Sequence, residues 1–481
     1  MNDSTNNSRR KFIKNSAIIG SSIFIVPRHV MGRGFVAPSD KLNIAGIGVG
    51  GKGTSDLANF AKSPKVNIVA LCDVDDREAK TSRERYPKAP YYKDFREMLQ
   101  KEKNNIDAVS ISTPDHTHAV ATLAAMQLGK HVYTQKPLTH DIYEARILAQ
   151  AAKKYKVVTQ MGNQGASGDG VRRMKEIYDA GLIGDIVEAQ AWTNRPIWPQ
   201  GVPKPTGNHA IPPELDWNLW LGTAPKDDYN PAYVPFNWRG FWNFGTGALG
   251  DMACHIMDPI YRILPIDYPS SAECSIANQW TGMNQEANYK DSCPVSSIIH
   301  LEYPRKDKKG ILKVSWYDGG LLPKRPDELK PEEDFGNWDG GVLFIGTKGK
   351  LLADCYGANP RLLPLSKNES AKAVKQTIAR VPGSVEGHYL QWVNACLQGY
   401  GKGKTSSPFE YAGPFTESIL MGNLAIRSAL YTDPSVSGWG KSKFTGRKKL
   451  LWDAKNMKVT NFDEANRFVK REYRDGYTLT L

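Results

Sequence analysis

The chain has 481 residues, of which 40% are hydrophobic and 23% are charged, and it is too long for one small hydrophobic core. This composition, with 12 Trp and 21 Tyr, excludes disordered, collagen-like and membrane-bundle proteins and predicts a globular protein of two or three domains. The formal net charge is +13, but beyond the N-terminal segment the basic residues are spread along the chain, which argues against nucleic-acid binding.

The N-terminal segment, residues 1–39, combines an arginine pair with an apolar stretch. Ser8-Arg9-Arg10-Lys11-Phe12-Ile13-Lys14 precedes an uncharged, mainly apolar run from Asn15 to Val26, which is the pattern of a twin-arginine export signal. A membrane anchor is the alternative, but 12 residues are too few for a helix that crosses a bilayer, which needs about 20. We therefore expect no stable membrane span and a periplasmic or secreted protein that is exported already folded, with its cofactor bound.

From residue 40 the sequence alternates short β-branched runs with amphipathic stretches. The candidate strands are Leu42–Ile47, Val66–Cys72, Ala108–Ser112, Val132–Thr134 and Val157–Gln160, and Thr117–Leu128 is one of the helical patterns between them. Such alternation predicts an α/β domain with a doubly wound parallel sheet. We place this Rossmann domain at residues 40–168.

A glycine cluster follows the first candidate strand. It reads Gly46-x-Gly48-x-x-Gly51, and the second strand ends just before Asp73. In a Rossmann fold the three glycines allow a tight turn, a close approach of the pyrophosphate and close packing of the next helix, while the acidic residue binds the adenine ribose. Asp73 disfavours a 2′-phosphate, so we expect NAD, with NADP possible. A competing P-loop interpretation fails at Gly53, where a Ser or Thr is required.

Several further motifs match a known family. They are Ser112-Thr113-Pro114-Asp115-His116-Thr117-His118, Gln135-Lys136-Pro137, Trp238-Arg239, Gly245-Thr246-Gly247, Asp251-Met252-Ala253-Cys254-His255 and Phe344-Ile345-Gly346-Thr347-Lys348-Gly349. Together they resemble the Gfo/Idh/MocA oxidoreductase family over about Lys41 to Leu430. The resemblance implies an NAD(P)-dependent enzyme that acts on CH-OH groups of a small carbohydrate substrate, and a homo-oligomer. The family's Glu-Lys-Pro stands here with Gln135 in place of Glu.

Three residues are candidates for catalysis: Lys136, Asp251 and His255. Oxidation of a secondary alcohol needs a base for the proton and a cation near the oxygen. Asp251 and His255 are four residues apart after a glycine-rich turn, a spacing that places them on one face of a helix, and Lys136 follows a strand at the ligand-binding edge of the sheet. The resemblance implies the same three residues. A packing role for His255 and a surface-turn role for Lys136 are the alternatives.

The predicted cofactor-binding residues lie mostly at strand ends and in the family motifs. They are Gly46, Gly48, Gly51, Asp73, Thr113, Pro114, His118, Gln135, Asn163, Trp238 and Arg239. We expect His116 to precede a helix and His118 to line the cofactor side. The two form an H-x-H pair without a recognisable third ligand, so no metal site is predicted. The neutral Gln135 is expected to leave the charge of Lys136 less compensated.

The second domain, residues 169–481, has a different pattern. A helix at Val171–Ala180 precedes alternating runs at Ile186–Thr193, Ser297–Tyr303 and Ile311–Trp316, which predict an α+β domain with an open, mainly antiparallel sheet. Pro414–Tyr431 is predicted to be a helix that packs between the domains.

Two loops of this domain leave alternatives open. The insert at 196–242 holds nine prolines and five tryptophans, which either stack on sugar rings or pack against a neighbouring subunit. The stretch Pro323–Trp338 is either a lid or a solvated loop.

The combination of dinucleotide, carbohydrate and export defines the functional expectation. An exported enzyme meets little free NAD, so we expect a tightly bound cofactor that is recycled during each catalytic cycle while a secondary hydroxyl of a sugar, glycoside or polyol is oxidised. An NAD-dependent glycoside hydrolase that oxidises its sugar transiently is the alternative within this chemistry. A non-catalytic dinucleotide-bound binding protein is the alternative of another class.

Overall fold

A computed structural model describes residues 40–287, 289–436 and 444–481. The predicted export signal at residues 1–39 lies outside these residues. The chain divides after Lys41, and the description below concerns the compact unit Leu42–Leu481. Of the helices in the described ranges, none combines the length and the apolar character needed to cross a bilayer.

The first half of this unit is a six-stranded sheet in which all neighbouring strands are parallel. Its strands are β1 Leu42–Ile47, β2 Val66–Cys72, β3 Tyr91–Tyr92, β4 Ala108–Ile111, β5 His131–Thr134 and β6 Thr159–Met161. Their order, β3-β2-β1-β4-β5-β6, is that of a Rossmann fold. The predicted doubly wound α/β sheet is therefore confirmed. The sequence pattern does not predict β3, because two residues carry no periodicity.

Helices cover both faces of the parallel sheet. They are α1 Gly51–Phe60, α2 Asp76–Arg85, α3 Phe95–Glu102, α4 His118–Gln127 and α5 Ile142–Tyr155. Successive residues of β1 contribute to two different hydrophobic cores, Ile44 to one and Ala45 and Ile47 to the other. Burial on both faces explains why the strands of a parallel sheet are continuous apolar runs.

The second half of the unit contains a nine-stranded sheet. Its strands are β7 Ile186–Thr193, β8 Ser271–Ile276, β11 Ser297–Pro304, β12 Ile311–Tyr317, β13 Gly340–Gly346, β14 Lys350–Asp354, β15 Arg361–Leu363, β16 Leu450–Asp453 and β17 Lys458–Val459, while β9 Trp280–Gly282 and β10 Gln285–Glu286 form a separate hairpin. The order is β15-β14-β13-β7-β12-β11-β8-β16-β17. Only β7 and β12 pair in parallel, so the predicted open, mainly antiparallel sheet is confirmed.

Seven further helices follow the parallel sheet in the described residues. They are α6 Asp169–Asp179, α7 Trp217–Leu221, α8 Gly247–Ile256, α9 Asp258–Ile263, α10 Asn368–Lys372, α11 His388–Gln398 and α12 Phe409–Ala429. Helix α12 packs against α5 on one side and β8 on the other, as predicted for the helix between the domains. A buried ion pair of 2.7 Å between Arg146 and Glu417 fixes α5 to α12.

The insert at 196–242 forms a small hydrophobic core of its own. Trp217 stacks on Trp220 with ring centroids 4.6 Å apart, and Tyr233 and Phe244 pack edge-on nearby. All five tryptophans of the insert are at most 8% exposed. The insert is therefore a packed unit that forms a roof; because Trp220 and Trp238 also line the cleft described below, both alternatives, stacking on sugar rings and packing against a neighbouring subunit, stay predictions.

The loop at Pro323–Trp338 is fixed to the outer face of the second sheet. The Phe335 ring lies 4.3 Å from the ring of Trp192, and Leu329 is buried in the same cluster. The loop is therefore anchored by Leu329 and Phe335, while Trp338 at its end is 79% exposed, and the choice between a lid and a solvated loop stays a prediction.

Candidate active site

A cleft of about 720 Å³ runs along the carboxyl ends of the parallel strands, where doubly wound folds bind their ligands. Ten of the predicted site residues line it: Gly48, Gly51, Asp73, Thr113, Pro114, Gln135, Lys136, Trp238, Arg239 and Asp251. Residues of the Rossmann domain, of the insert and of helix α8 thus meet at one edge of the parallel sheet. The insert closes the cleft with side chains that include Leu219, Trp220 and Phe236.

The glycine fingerprint lies two residues later than predicted. Strand β1 ends at Ile47, and Gly48 makes the turn with a φ of 73°. A Cβ atom on Gly53 would lie 1.8 Å from the carbonyl oxygen of Gly48, so Gly53 is the residue that lets α1 pack closely on the turn. Gly50 at the N-cap of α1 completes a Gly48-x-Gly50-x-x-Gly53 pattern that meets the structural requirements of the fingerprint.

Two glycines of the predicted register have other positions. Gly46 lies inside β1 and does not line the cleft. Gly51 lines the cleft with a φ of 44°, but an added Cβ would meet no atom within 4 Å, so it is not the close-packing glycine. The prediction for these two residues is wrong, because five glycines within eight residues fit the motif in two registers.

The turn fits the pyrophosphate of a dinucleotide. The first turn of α1 carries no acidic side chain, and Gly50 and Gly51 at its start face the cleft. A helix N-terminus with free backbone N–H groups attracts an anion. Only glycine allows the close backbone packing at position 53. This turn and the start of α1 are therefore suited to the pyrophosphate that the sequence predicts.

Asp73 fastens the glycine turn to the end of β2. Its Oδ2 atom accepts hydrogen bonds from the backbone N–H groups of Val49, at 2.8 Å, and Gly50, at 3.0 Å. Burial raises the pKa of Asp73 to about 6, although the backbone hydrogen bonds act in the opposite direction. Asp73 also lines the cleft, so it remains a candidate for the ribose, with a second role that its position in the sequence does not reveal.

Lys136, Asp251 and Arg239 form a charged cluster at one end of the cleft. Lys136 Nζ donates to Oδ1 of Asp251 at 2.7 Å and to its main-chain oxygen at 2.8 Å, and Arg239 Nε lies 3.6 Å from the same Oδ1. Burial would raise the pKa of Asp251, but the two cations outweigh it, and the pKa lies below its usual range. Asp251 is therefore ionised, and Lys136 keeps the third of its N–H groups for another acceptor.

His255 lies one helical turn after Asp251 on α8, behind the wall of the cleft. It is 4% exposed, and its Nδ1 atom has no hydrogen-bond partner. Burial, with the charge of Lys136 as the next cause, lowers the pKa of His255 well below 6.5. The imidazole is therefore neutral at neutral pH and can accept a proton.

Tyr356 is a neighbour of His255 that the sequence does not predict. The two rings meet edge to face with centroids 4.7 Å apart. Tyr356 has a φ of 64°, a left-handed conformation that costs energy in a residue with a side chain and is concentrated at functional sites. No sequence motif marks this residue, because it comes from a short turn after β14.

A buried polar network surrounds Gln135. Its Nε2 atom donates to Oδ2 of the fully buried Asp56 at 2.7 Å. Asp56 also accepts from Lys52 Nζ at 2.6 Å and Ser112 Oγ at 2.8 Å. Gln135 therefore faces α1, and Asp251 compensates the charge of Lys136. That Gln135 leaves the charge of Lys136 less compensated than a glutamate would stays a prediction. The spacing of Lys52 and Asp56, four residues apart after the glycine turn, is the signal that marks part of this network.

His118 and Asn163 support the walls of the cleft without lining it. The ring nitrogens of His118 lie 2.8 Å from the carbonyl oxygens of Pro137 and Thr113, so the ring joins the loops after β5 and β4. Asn163 is buried, and its Nδ2 donates to Asp258 Oδ1 at 3.1 Å. Both predicted cofactor contacts are wrong, because sequence places a residue at a strand end without fixing the direction of its side chain.

The other histidine of the H-x-H pair holds the insert. His116 lies in the 3₁₀ turn Asp115–Thr117 that precedes α4, as predicted, and its Nε2 atom lies 2.9 Å from the carbonyl oxygen of Trp220. Burial lowers the pKa of His116 to about 3, so the ring is neutral. In the described ranges no three His, Cys, Asp or Glu side chains are grouped so that they could share a metal ion.

Two family models match consecutive parts of the chain. Residues 42–163 match the NAD-binding Rossmann fold of the GFO_IDH_MocA oxidoreductase family, and residues 169–299 match the C-terminal alpha/beta domain of the same family. Together the two models cover more than half of the sequence, including the glycine turn, Lys136 and the Asp251–His255 pair.

Curated relatives share part of this region. An alpha-N-acetylgalactosaminidase of Shewanella oneidensis is 27% identical over 191 residues, which are 37% of this chain and 41% of that protein. A myo-inositol 2-dehydrogenase of Thermotoga maritima is 27% identical over 143 residues, 30% of this chain and 42% of that protein. The matched part of the chain thus spans about two fifths of the length of these relatives.

Solved structures share the fold at low sequence identity. The WlbA dehydrogenase from Bordetella pertussis, in complex with NADH and UDP-GlcNAcA, has a TM-score of 0.54 and 16% identity, over 80% of this chain and 97% of that one. Levoglucosan dehydrogenase in complex with NADH has a TM-score of 0.53 and 16% identity, over 80% and 96%. With the two family models and the observed succession of sheets, the conclusion is that this chain belongs to the Gfo/Idh/MocA family of NAD-binding oxidoreductases.

Proposed function

We propose that the protein is an NAD-dependent oxidoreductase that oxidises a secondary hydroxyl group of a sugar, glycoside or polyol. The observation that carries this proposal is the contact of 2.7 Å between Lys136 Nζ and Asp251 Oδ1, at one end of a cleft whose other parts suit a dinucleotide. The similarity to the myo-inositol 2-dehydrogenase of Thermotoga maritima supports this type of substrate. When bound, the nicotinamide supplies a hydride acceptor.

The charged cluster and His255 have different roles in the oxidation of the hydroxyl group. Asp251 holds the ammonium of Lys136 through two hydrogen bonds, so the remaining N–H can donate to the substrate oxygen and stabilise its negative character. His255 is neutral and takes the proton. Acid–base assistance of this kind is worth about 10²- to 10⁴-fold in rate.

The surroundings of Asp73 favour NAD over NADP. Asp73 and Asp75 lie side by side at the cleft, and a 2′-phosphate there would meet two carboxylates. The nearby cations are already engaged, since Arg77 pairs with Asp75 at 2.5 Å and Lys93 pairs with Asp76 at 2.9 Å. No free cation of this group is left to neutralise a phosphate.

The glycoside hydrolase remains a second candidate because several relatives are named as glycosidases or as glycosyl hydrolase family 109 proteins. It would use the same residues for a transient oxidation. The test is to purify the protein, record nicotinamide absorbance and incubate it with a panel of sugars, polyols and glycosides. A keto sugar with reduced cofactor supports the dehydrogenase, and a free reducing sugar without net cofactor change supports the hydrolase. Absence of dinucleotide binding would refute both.

We further propose that the dinucleotide is retained and recycled, that the protein is exported through the twin-arginine pathway, and that it is a homo-oligomer. The roof formed by the insert over the cleft supports retention, and the Arg9-Arg10 pair supports export. Gel filtration with light scattering gives the oligomeric state and shows whether absorbance stays with the protein. Replacement of Arg9 and Arg10 by Lys should abolish export, measured by cell fractionation.

A further inference from the structure

The last segment of the sequence, residues 469–481, reaches the dinucleotide cleft. We infer that the ring of Tyr477 contacts the adenine of the dinucleotide and that this segment slows cofactor release. The inference rests on the proposed use of the cleft for NAD. Both matched family models end well before this segment, so the family resemblance does not bear on it.

Buried charges hold the base of the segment to the Rossmann domain. Glu144 at the start of α5 is 1% exposed. Its carboxylate accepts a hydrogen bond of 2.9 Å from Arg471 Nη2 and another of 2.5 Å from the hydroxyl of Tyr473. Arg471 also donates to the carbonyl oxygen of His116 at 2.6 Å. A carboxylate that is buried with two such donors is costly to separate from them, so the segment is a fixed part of the fold.

Further contacts attach the segment to the roof and to the opposite wall. Arg474 donates to Oδ1 of Asn218 at 2.7 Å, and so ties the segment to α7 in the insert. On the other side, Arg96 Nη1 donates to the carbonyl oxygen of Gly476 at 3.2 Å, and the Arg96 guanidinium lies 4.8 Å from the ring centroid of Tyr477. The segment therefore bridges the insert and α3 across the cleft.

The position of Tyr477 identifies the part of the ligand that it would contact. It lines the same cleft as Asp73, Val74 and Phe95, beside the ribose-binding end, whereas Lys136 and Asp251 lie at the end where hydroxyl oxidation is proposed. Only the adenosine half of NAD belongs at the Asp73 end. An aromatic ring there offers a face or edge to the adenine, and proteins commonly bind nucleobases by stacking them on aromatic side chains.

The experiment uses NADH and two of its fragments, ADP-ribose and nicotinamide mononucleotide, to distinguish binding at the adenosine end of the cleft from binding at the nicotinamide end. Dissociation of NADH is followed by stopped-flow fluorescence, and affinities for ADP-ribose and for nicotinamide mononucleotide are measured by calorimetry. The variants are Tyr477→Ala, Tyr477→Phe and Arg96→Gln. Tyr400→Ala is the matched control, because Tyr400 is 41% exposed and does not line the cleft.

The expected result is specific to the adenosine half. Tyr477→Ala should release NADH about tenfold faster and weaken ADP-ribose by a similar factor, while mononucleotide affinity and the Tyr400→Ala control stay unchanged. Tyr477→Phe should behave like the natural protein, and Arg96→Gln should accelerate release to a smaller extent. The inference is overturned if Tyr477→Ala leaves NADH and ADP-ribose binding unchanged, or if Tyr477→Phe is as damaging as Tyr477→Ala. If the natural protein binds neither NADH nor ADP-ribose, the proposed function itself fails.

Discussion

Gln135 Nε2 lies 2.7 Å from Asp56 Oδ2, and both side chains are buried. Gln135, which precedes Lys136, thus forms its hydrogen bond with a residue of α1, the first helix of the Rossmann domain. Lys52 Nζ supplies the positive charge that balances Asp56. The network sets the path of the chain into Lys136 without touching the ammonium group itself.

This arrangement predicts the effect of restoring the family's glutamate. Gln135→Glu places a second carboxylate against Asp56 in a buried position, and we expect a loss of about 3 kcal/mol in the free energy of unfolding, because an uncompensated buried charge is that costly. Denaturant unfolding measures the change.

The matched rescue for this variant is Asp56→Asn in the same chain. The double variant again has one carboxylate and one amide, so most of the lost stability should return, whereas additive losses would contradict the pairing.

Lys136 is expected to act on turnover and not on dinucleotide binding. Lys136→Met keeps the length of the side chain and removes the ammonium group, so the rate of hydroxyl oxidation should fall about 10²- to 10⁴-fold. NADH affinity, measured by fluorescence titration, should change little. Lys324→Met, at an exposed position, is the control. A turnover rate within a few-fold of the natural protein would refute the catalytic role.

The pKa of His255 sets the expected pH dependence. Burial and Lys136 lower the pKa of this base below 6.5. Because a base works only when deprotonated, the fall of kcat/KM on acidification should begin below pH 6.5. His255→Gln should lower kcat and remove this limb from the pH profile. An acid limb above pH 6.5, or an unchanged profile in the variant, would count against the assignment.

Asp73 predicts a second pH effect, on cofactor affinity. Its pKa is about 6, so the carboxylate that holds the glycine turn becomes protonated as the pH falls through this value, and NADH affinity should decrease there. Asp73→Asn should weaken NADH about tenfold at pH 8, because a hydrogen bond to a charged group is worth about 1.5 to 3 kcal/mol, and should reduce the preference for NAD over NADP. Calorimetry at pH 5 to 8 tests both statements, and a pH-independent affinity of the natural protein would contradict them.

The corrected glycine register can be tested with two alanine variants. Gly53→Ala places a methyl group 1.8 Å from the Gly48 carbonyl oxygen, and overpacking against backbone should cost about 3 kcal/mol and abolish NADH binding. Gly51→Ala meets no neighbour and should cost only the roughly 1 to 2 kcal/mol of a left-handed conformation. Thermal unfolding and NADH titration compare them. Equal effects would favour the register that starts at Gly46.

Sequence was sufficient for the elements that carry strong periodicity. Strands β1, β2 and β7 begin and end at the predicted residues, because each is a continuous or alternating apolar run with clear turn residues beside it. The approach of Lys136 to Asp251 was also predictable, since both belong to motifs that follow recognisable elements. Apolar periodicity and the spacing of residues within a motif can both be read directly from the sequence.

Other parts of the site depend on contacts that local pattern does not encode. Asp56 and Gln135 are 79 residues apart, and nothing in either motif shows that their side chains meet. His118 lies at the predicted place but points into the protein. Tyr356 and Tyr477 come from turns without periodicity, and only the packing of the second sheet and of the last segment brings them to the site.

The walls of the cleft come from nearly opposite ends of the described chain, Gly48 and Tyr477. During synthesis the glycine turn leaves the ribosome long before the roof and the last wall exist. The dinucleotide should therefore give a nascent chain little protection, and should bind with full affinity only after residue 477 is in place. Cofactor loading at full affinity is thus expected only after synthesis has passed residue 477 and this segment has folded onto the cleft.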